Sequence, residues 1–372
     1  MIPEHWPLPL RLLIALLRVD DSAAADADVL ARGMSAADWS VFADLAISRH
    51  GVAQSVGQGL GALDVPEPIS TRFADVLRNN AMLAMAHMAE TRRINQALDA
   101  IGVKPVVFKG WALAEHLYGR VDARQVGDLD LLVPEDRVAD SYAALQGIGF
   151  EISADTAMSR RRLSRLDDPS LMRACKHIAM VRPQTGLVVE LHWRLMTYHG
   201  WPELVDAPGA LVTRESTAGP LLMPSDQVNM IYLSTHGALH IWDRLKWLED
   251  IARLARQRGP DQLTRDVEAA RAVGLERPVE FALVLAGQLL NSPVPPELER
   301  ADPDVVRLVD WTLDRLSRSD RPFSLRSYQL GVRWMTRRLA RNWRQRLGLI
   351  EHDTVRRLRL ASLDLLPRRR KS

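Results

Sequence analysis

Between two long stretches of helical periodicity the chain carries a short β-branched run, Val103-Lys104-Pro105-Val106-Val107-Phe108-Lys109. It ends on Gly110 and gives way to the periodic segment Trp111 to Tyr118, closed by Gly119. A strand entering a core, a tight turn and a helix therefore follow one another, the arrangement of a nucleotide-type βα turn. Further strands are predicted at Leu129 to Val133, near Phe150, at His177 to Val181 and at Leu187 to Trp193. The last two are joined by Arg182-Pro183-Gln184-Thr185-Gly186, which makes a hairpin the expected pairing. Pro134 to Leu145 reads as helix. Upstream, Ser35 is placed to cap a helix with Asp38 at its third position. From Pro224 the pattern is helical to the end, interrupted at Pro260, around Pro293 to Pro296 and at Pro303. The expected organisation is a helical region over 1–100, an α/β centre over 101–223 and a second helical region over 224–372.

Composition narrows the function classes. A length of 372 residues suits two or three packed units, and 47% apolar with 26% charged residues is ordinary for globular proteins. No run of 18 apolar residues occurs. The early candidate Leu12 to Leu17 is flanked by Arg11 and Arg18 and follows Glu4, so neither a membrane span nor a signal peptide is expected. A cytoplasmic location follows as the expectation. The single cysteine, Cys175, excludes an internal disulfide framework and a cysteine-based zinc cluster, and reads as a small buried hydrophobe. Net charge is +3, yet residues 333–372 hold 13 basic residues against Glu351, Asp353 and Asp364. That tail is basic enough to touch nucleic acid or an acidic partner, but a solvated terminal helix is the commoner explanation.

The chemistry-bearing residues lie in the centre. Asp128 and Asp130 stand at i and i+2 beside Leu131-Leu132-Val133, so on an extended strand both carboxylates project from one face. Like charges at the mouth of a buried strand need neutralising, and a divalent cation is the usual answer. Glu190 interrupts the apolar run Val188-Val189-Glu190-Leu191-His192, as expected of a carboxylate facing the same cation from a neighbouring strand. Oxygen donors without thiols favour Mg2+ or Mn2+. Lys109-Gly110-Trp111 supplies a complementary feature, since the glycine admits close backbone approach and the following helix start points amides at an anion such as phosphate. Lys109 is one of five lysines in the chain. Arg124, four residues before Asp128, either touches phosphate or balances the aspartates.

These residues together resemble a family. The run Val106-Val107-Phe108-Lys109-Gly110-Trp111-Ala112-Leu113-Ala114-Glu115-His116-Leu117-Tyr118 comes first, followed by Arg124 and Gly127-Asp128-Leu129-Asp130-Leu131-Leu132-Val133. With Glu190-Leu191-His192-Trp193-Arg194-Leu195, it is similar to a nucleotidyltransferase family of the polymerase-β-like superfamily. The resemblance centres on residues 80–200. It implies an α+β fold with a small mixed β-sheet nucleotidyltransferase core between helical flanks. It also implies that Asp128, Asp130 and Glu190 are catalytic metal ligands for Mg2+ or Mn2+. Lys109, Gly110, Trp111 and Arg124 are the matching nucleotide-binding positions, with ATP as the expected nucleoside triphosphate. Where the wider superfamily places a second glycine or a serine after the turn glycine, this chain has Trp111, so phosphate must be held by backbone amides, Lys109 or an arginine.

The acceptor is left open among a small molecule, a sugar, a peptide and a protein, with no membrane and no nucleic acid expected. His192 is an alternative proton acceptor. On the segment after Asp226, His236, His240, Asp243, Trp247 and Asp250 form one polar stripe of a helix, which makes His236, His240 and Asp250 candidates for acceptor or base contacts. Two other functions remain compatible with these residues. One is a kinase or pyrophosphokinase using the same carboxylates, and the other is an inactive binding protein that recruits a peptide or protein.

Overall fold

The computed structural model describes residues 3–18, 20, 22–154, 160–196, 204–319 and 324–340. The basic tail beyond residue 340 lies outside the described residues. The fold is α+β: helices flank a seven-stranded mixed sheet. The chain divides into two compact units. The first comprises Met1–Leu83, Ala114–Gln125 and Asn229–Leu339, and the second is built on Ala84–Leu113 and Val126–Val228.

The second unit contains the sheet. Its strands are β1 (Val106–Val107), β2 (Leu129–Leu132), β3 (Glu151–Ile152), β4 (His177–Arg182), β5 (Leu187–His192), β6 (Leu211–Arg214) and β7 (Leu221–Pro224), in the spatial order β3-β4-β5-β2-β1-β7-β6. The expected hairpin is β4–β5, closed where the amides of Thr185 and Gly186 both donate to the carbonyl of Arg182. Burial alternates along it, with Ile178, Met180, Val189 and Leu191 fully buried, which fixes the register because a one-residue slip would turn these side chains to the opposite face. Strand β2 pairs in parallel with β5 and antiparallel with β1. The first strand is shorter than its β-branched run suggests, because Pro105 has no amide to donate and Gly110 already opens the helix Gly110–Tyr118. Strands β6 and β7 have no clear sequence signal, being four residues each with Pro224 inside the pairing. They form a second hairpin, and β7 lies parallel to β1.

The first unit is helical. Ser35 makes the expected capping box, its hydroxyl accepting from the Asp38 amide while the Asp38 carboxylate accepts from the Ser35 amide. The polar stripe after Asp226 is not on one helix, however. Helix Asp226–Leu239 stops and helix Leu245–Arg258 begins after a reversal in which Ile241 and Trp242 adopt φ of 52° and 50°. Left-handed backbone is costly at a β-branched residue. Here it is held by Arg315, which donates to the Ile241 carbonyl and to Asp243, and by Arg49, which forms a two-pronged pair with Asp243 at 2.7 Å for each prong.

The reversal depends on Gly237, since a Cβ there would sit 2.3 Å from the ring of Trp242. Gly237→Ala is therefore expected to cost about 1–3 kcal/mol through overpacking, read as a lower denaturation midpoint. An unchanged midpoint would mean that Trp242 is not packed there.

Two interior histidines set a pH dependence. His50 and His87 are fully buried, and burial pushes their pKa values down from 6.5 to about 3 and about 4; Arg49 adds to the effect at His50. The unfolded chain takes up protons below pH 6.5 that the folded chain refuses. The stability these groups contribute is thus present above that pH and is lost as pH falls toward 4. Chemical denaturation at a series of pH values between 7 and 4 should show this decline, and His87→Gln should flatten it.

Candidate metal and nucleotide site

The register of β2 against β5 sets Asp130 directly beside Glu190, and Leu132 beside His192. Across the hairpin, His177 pairs with His192 and Ala179 with Glu190. Asp128 lies two residues before Asp130, on the same pleat direction. One face of three adjacent strands thereby presents Asp128, Asp130, Glu190, His192 and His177. The sequence periodicity that buries Leu129, Leu131, Val189 and Leu191 on the other face is what forces these polar groups together.

Asp128, Asp130 and Glu190 each place a carboxylate oxygen within 4.8 Å of the other two, a spacing suited to enclosing one cation. Asp130 is almost wholly buried. Burial opposes its charge, but Lys109, whose ammonium lies 3.5 Å away, together with His192 and Lys176, holds its carboxyl well below the usual range. Asp128 behaves in the opposite way: burial first, then repulsion from Asp130 and Glu190, raises it. Burial also works against charge at Glu190, yet the hydrogen bond from His192 and the proximity of His177 keep it low. A divalent cation would remove the repulsion felt at Asp128, and the donor set is the hard oxygen type that Mg2+ and Mn2+ take. The residues fit such an ion.

His192 is completely buried, with Nε2 3.1 Å from Asp130 and 2.9 Å from Glu190, and it packs edge-on against Phe108. Its Nε2 lies between the two carboxylates, within hydrogen-bonding distance of both, and ties them in position.

Lys109 and Gly110 complete this face. Gly110 has φ of 61°, and a Cβ on it would stand 3.3 Å from the carbonyl oxygen of Asp128, so a glycine lets the helix start lie against the mouth of β2. The first amides of helix Gly110–Tyr118 have no intrahelical acceptor.

The sequence profile of a family described as uncharacterised nucleotidyltransferase matches residues 35–291. The chain belongs to that family. No curated protein and no solved structure matches it.

The Trp111 side chain points away from the turn at Gly110. Its ring is fully buried and its indole N–H donates to Thr91 at 3.0 Å, while Thr91 in turn donates to the His87 carbonyl. Only the backbone of Trp111 faces the turn. Arg124 and Asp250 belong to the first unit and hold each other: Nε and Nη2 of Arg124 lie 2.8–3.0 Å from the Asp250 carboxylate, which also accepts from Tyr118. His236 and His240, also in the first unit, pack against one another at a tilt, His236 meets Trp247 edge-on and His240 meets it at a tilt, and His240 Nδ1 lies 3.3 Å from the Tyr328 hydroxyl.

Two residues at the site were not apparent from sequence. Lys176 precedes β4, and its ammonium interacts with all three carboxylates; burial, then Lys109, lowers its pKa. His177 stands 3.6 Å from Glu190, with its pKa pushed down to about 4 by burial and by His192. Being one of five lysines was a usable signal for Lys176. His177 at the start of a strand offered none. Among the described residues no helix is long and apolar enough to cross a membrane.

Proposed function

We propose that this chain moves a nucleoside monophosphate from a nucleoside triphosphate, ATP in the first instance, to a hydroxyl or similar acceptor, releasing pyrophosphate. The observation that carries this is the convergence of Asp128, Asp130 and Glu190 on one face of two paired parallel strands, with Lys109 against Asp130 and a glycine-opened helix start alongside. Asp128, Asp130 and Glu190 would hold Mg2+ or Mn2+. Such ions, when bound, neutralise triphosphate charge and make an acceptor hydroxyl easier to deprotonate.

The chain's own groups do the rest. Lys109 and the first amides of the Gly110–Tyr118 helix receive phosphate oxygens, and Lys109 exchanges part of its attraction to Asp130 for them. Because the Trp111 ring is turned into the interior, it leaves that approach clear, and the missing small polar side chain is replaced by backbone donors. His192 is a positioning residue: buried and out of reach of an acceptor, it fixes the angle between Asp130 and Glu190. Glu190, half-buried at the rim, is the group placed to receive the acceptor proton. Attack on the α-phosphorus forms the new P–O bond as the bond to the β-phosphate oxygen breaks. Arg124, in the first unit, has its charge already shared with Asp250. The reaction is one of the cytoplasm, and its acceptor is a small molecule, a sugar, a peptide or a protein.

Labelled ATP tests the reaction type. With acceptor supplied as a cell extract, transfer of label from the α-position and none from the γ-position is expected. Transfer from the γ-position instead would make the chain a kinase. Transfer of a γ-retaining diphosphate would make it a pyrophosphokinase.

A further inference from the structure

The carboxylate group is not the only set of ligand atoms on this face. His177, Glu190 and His192 also place one donor atom each within 4.8 Å of one another, and all three lie on the β4–β5 hairpin. Their geometry is closer than that bound requires. His192 Nε2 is 2.9 Å from one Glu190 oxygen and His177 Nε2 is 3.6 Å from the other, and the two imidazole centroids are 4.8 Å apart. Ligand atoms around a tetrahedral ion with bonds of roughly 2.0–2.1 Å are separated by about 3.3 Å, so small side-chain adjustments bring both nitrogens and one oxygen to ligating distance. Donor chemistry separates this group from its neighbour. Two imidazoles and a carboxylate suit borderline transition ions, whereas three carboxylates suit Mg2+ or Mn2+.

We propose that His177, Glu190 and His192 form a second cation site, selective for a borderline divalent ion such as Zn2+, and that it shares Glu190 with the carboxylate group. Sharing makes the two occupancies compete. An ion drawn to the imidazoles turns Glu190 away from Asp128 and Asp130 and frees His192 from tethering Asp130, so the borderline ion acts as an inhibitor of the Mg2+-dependent state. The inhibitory role rests on the function proposed above, but the site itself does not. His177 is half-buried at the strand end, which leaves a fourth position open to water. Neither imidazole Nδ1 has a hydrogen-bond partner among the described residues, so the outer hydrogen bonds that strengthen the tightest zinc sites are missing. A reversible, competing ion fits that arrangement better than a permanent structural one.

The test uses the full chain and Co2+ as the probe, followed by its visible absorption without nucleotide or Mg2+. One equivalent of Co2+ is expected to bind with a low-coordinate spectrum. His177→Gln should weaken binding by at least about 10–100-fold. His177→Asp should restore it with a shifted band, and Asp128→Asn should leave it intact. Circular dichroism of each variant confirms that the fold is kept, and His177→Asp serves if His177→Gln does not fold. The proposal is overturned if Co2+ is not taken up, if His177→Gln and His177→Asp both bind it with the unaltered spectrum, or if Asp128→Asn abolishes binding, which would put the ion among the carboxylates. Because the readout needs no turnover, a chain that binds Co2+ through His177 yet transfers no nucleotidyl group upholds this site and contradicts the proposed reaction. Transfer without Co2+ uptake does the reverse.

Discussion

Asp130→Asn is expected to lower nucleotidyl transfer by about 10²–10³-fold while leaving a folded chain. Asparagine keeps the shape of the side chain but removes the charge that Lys109 and a metal ion would face, and a lost carboxylate ligand costs several kcal/mol of transition-state stabilisation. At about 1.4 kcal/mol per tenfold in rate, that is two to three decades. Glu190→Gln should cost a comparable amount. Turnover within a few-fold of the parent in a folded Asp130→Asn variant would leave the carboxylates as a structural cluster only. The comparison is informative because Asp130 is buried with defined partners: a fall in activity caused by unfolding would appear in circular dichroism, and one caused by lost ligation would not.

The largest effect on stability is expected at Asp250. Its carboxylate is about 1% exposed and accepts from Arg124 and Tyr118, and Arg124 itself is only 8% exposed. Asp250→Ala removes the carboxylate to which a buried guanidinium and a phenol both donate, which should cost about 3–5 kcal/mol in denaturant unfolding. Replacing both members, Arg124→Met with Asp250→Leu, should recover much of that loss, since two apolar side chains strand no charge. If Asp250→Ala costs less than about 1 kcal/mol, the Arg124 charge must be satisfied elsewhere. The burial of Tyr118 beside Asp250 acts in the same direction, because it pushes the phenol pKa well above its ordinary value and keeps it a donor.

Local signals made part of this molecule readable from its sequence. The β4–β5 hairpin was legible because a Pro-Gln-Thr-Gly turn separates two β-branched runs, and Glu190 was legible because a carboxylate has no reason to interrupt such a run without a partner. Asp128 and Asp130 announced their shared face by spacing alone. What stayed hidden depends on tertiary partners. The turn at Ile241–Trp242 breaks a stripe whose residues are all compatible with a continuous helix, and the break is held by Arg49 and Arg315, distant in sequence, with Gly237 making room for the Trp242 ring. Arg124 lies near the aspartates in sequence, but its partner Asp250 is 126 residues away. Strands β6 and β7 are too short for periodicity to register, and they gain order from pairing with each other and with β1. His177 acquires meaning only from the register that seats it across from His192.

Calorimetric titration of ATP into the full chain, with Mg2+ and again with EDTA, decides whether the three carboxylates serve a metal-bound nucleotide. Binding in Mg2+ that disappears in EDTA, and that Asp130→Asn also removes, is the expected result. ATP binding of equal strength in EDTA, or in Asp130→Asn with Mg2+ present, would contradict a role for these carboxylates in holding the metal with its nucleotide.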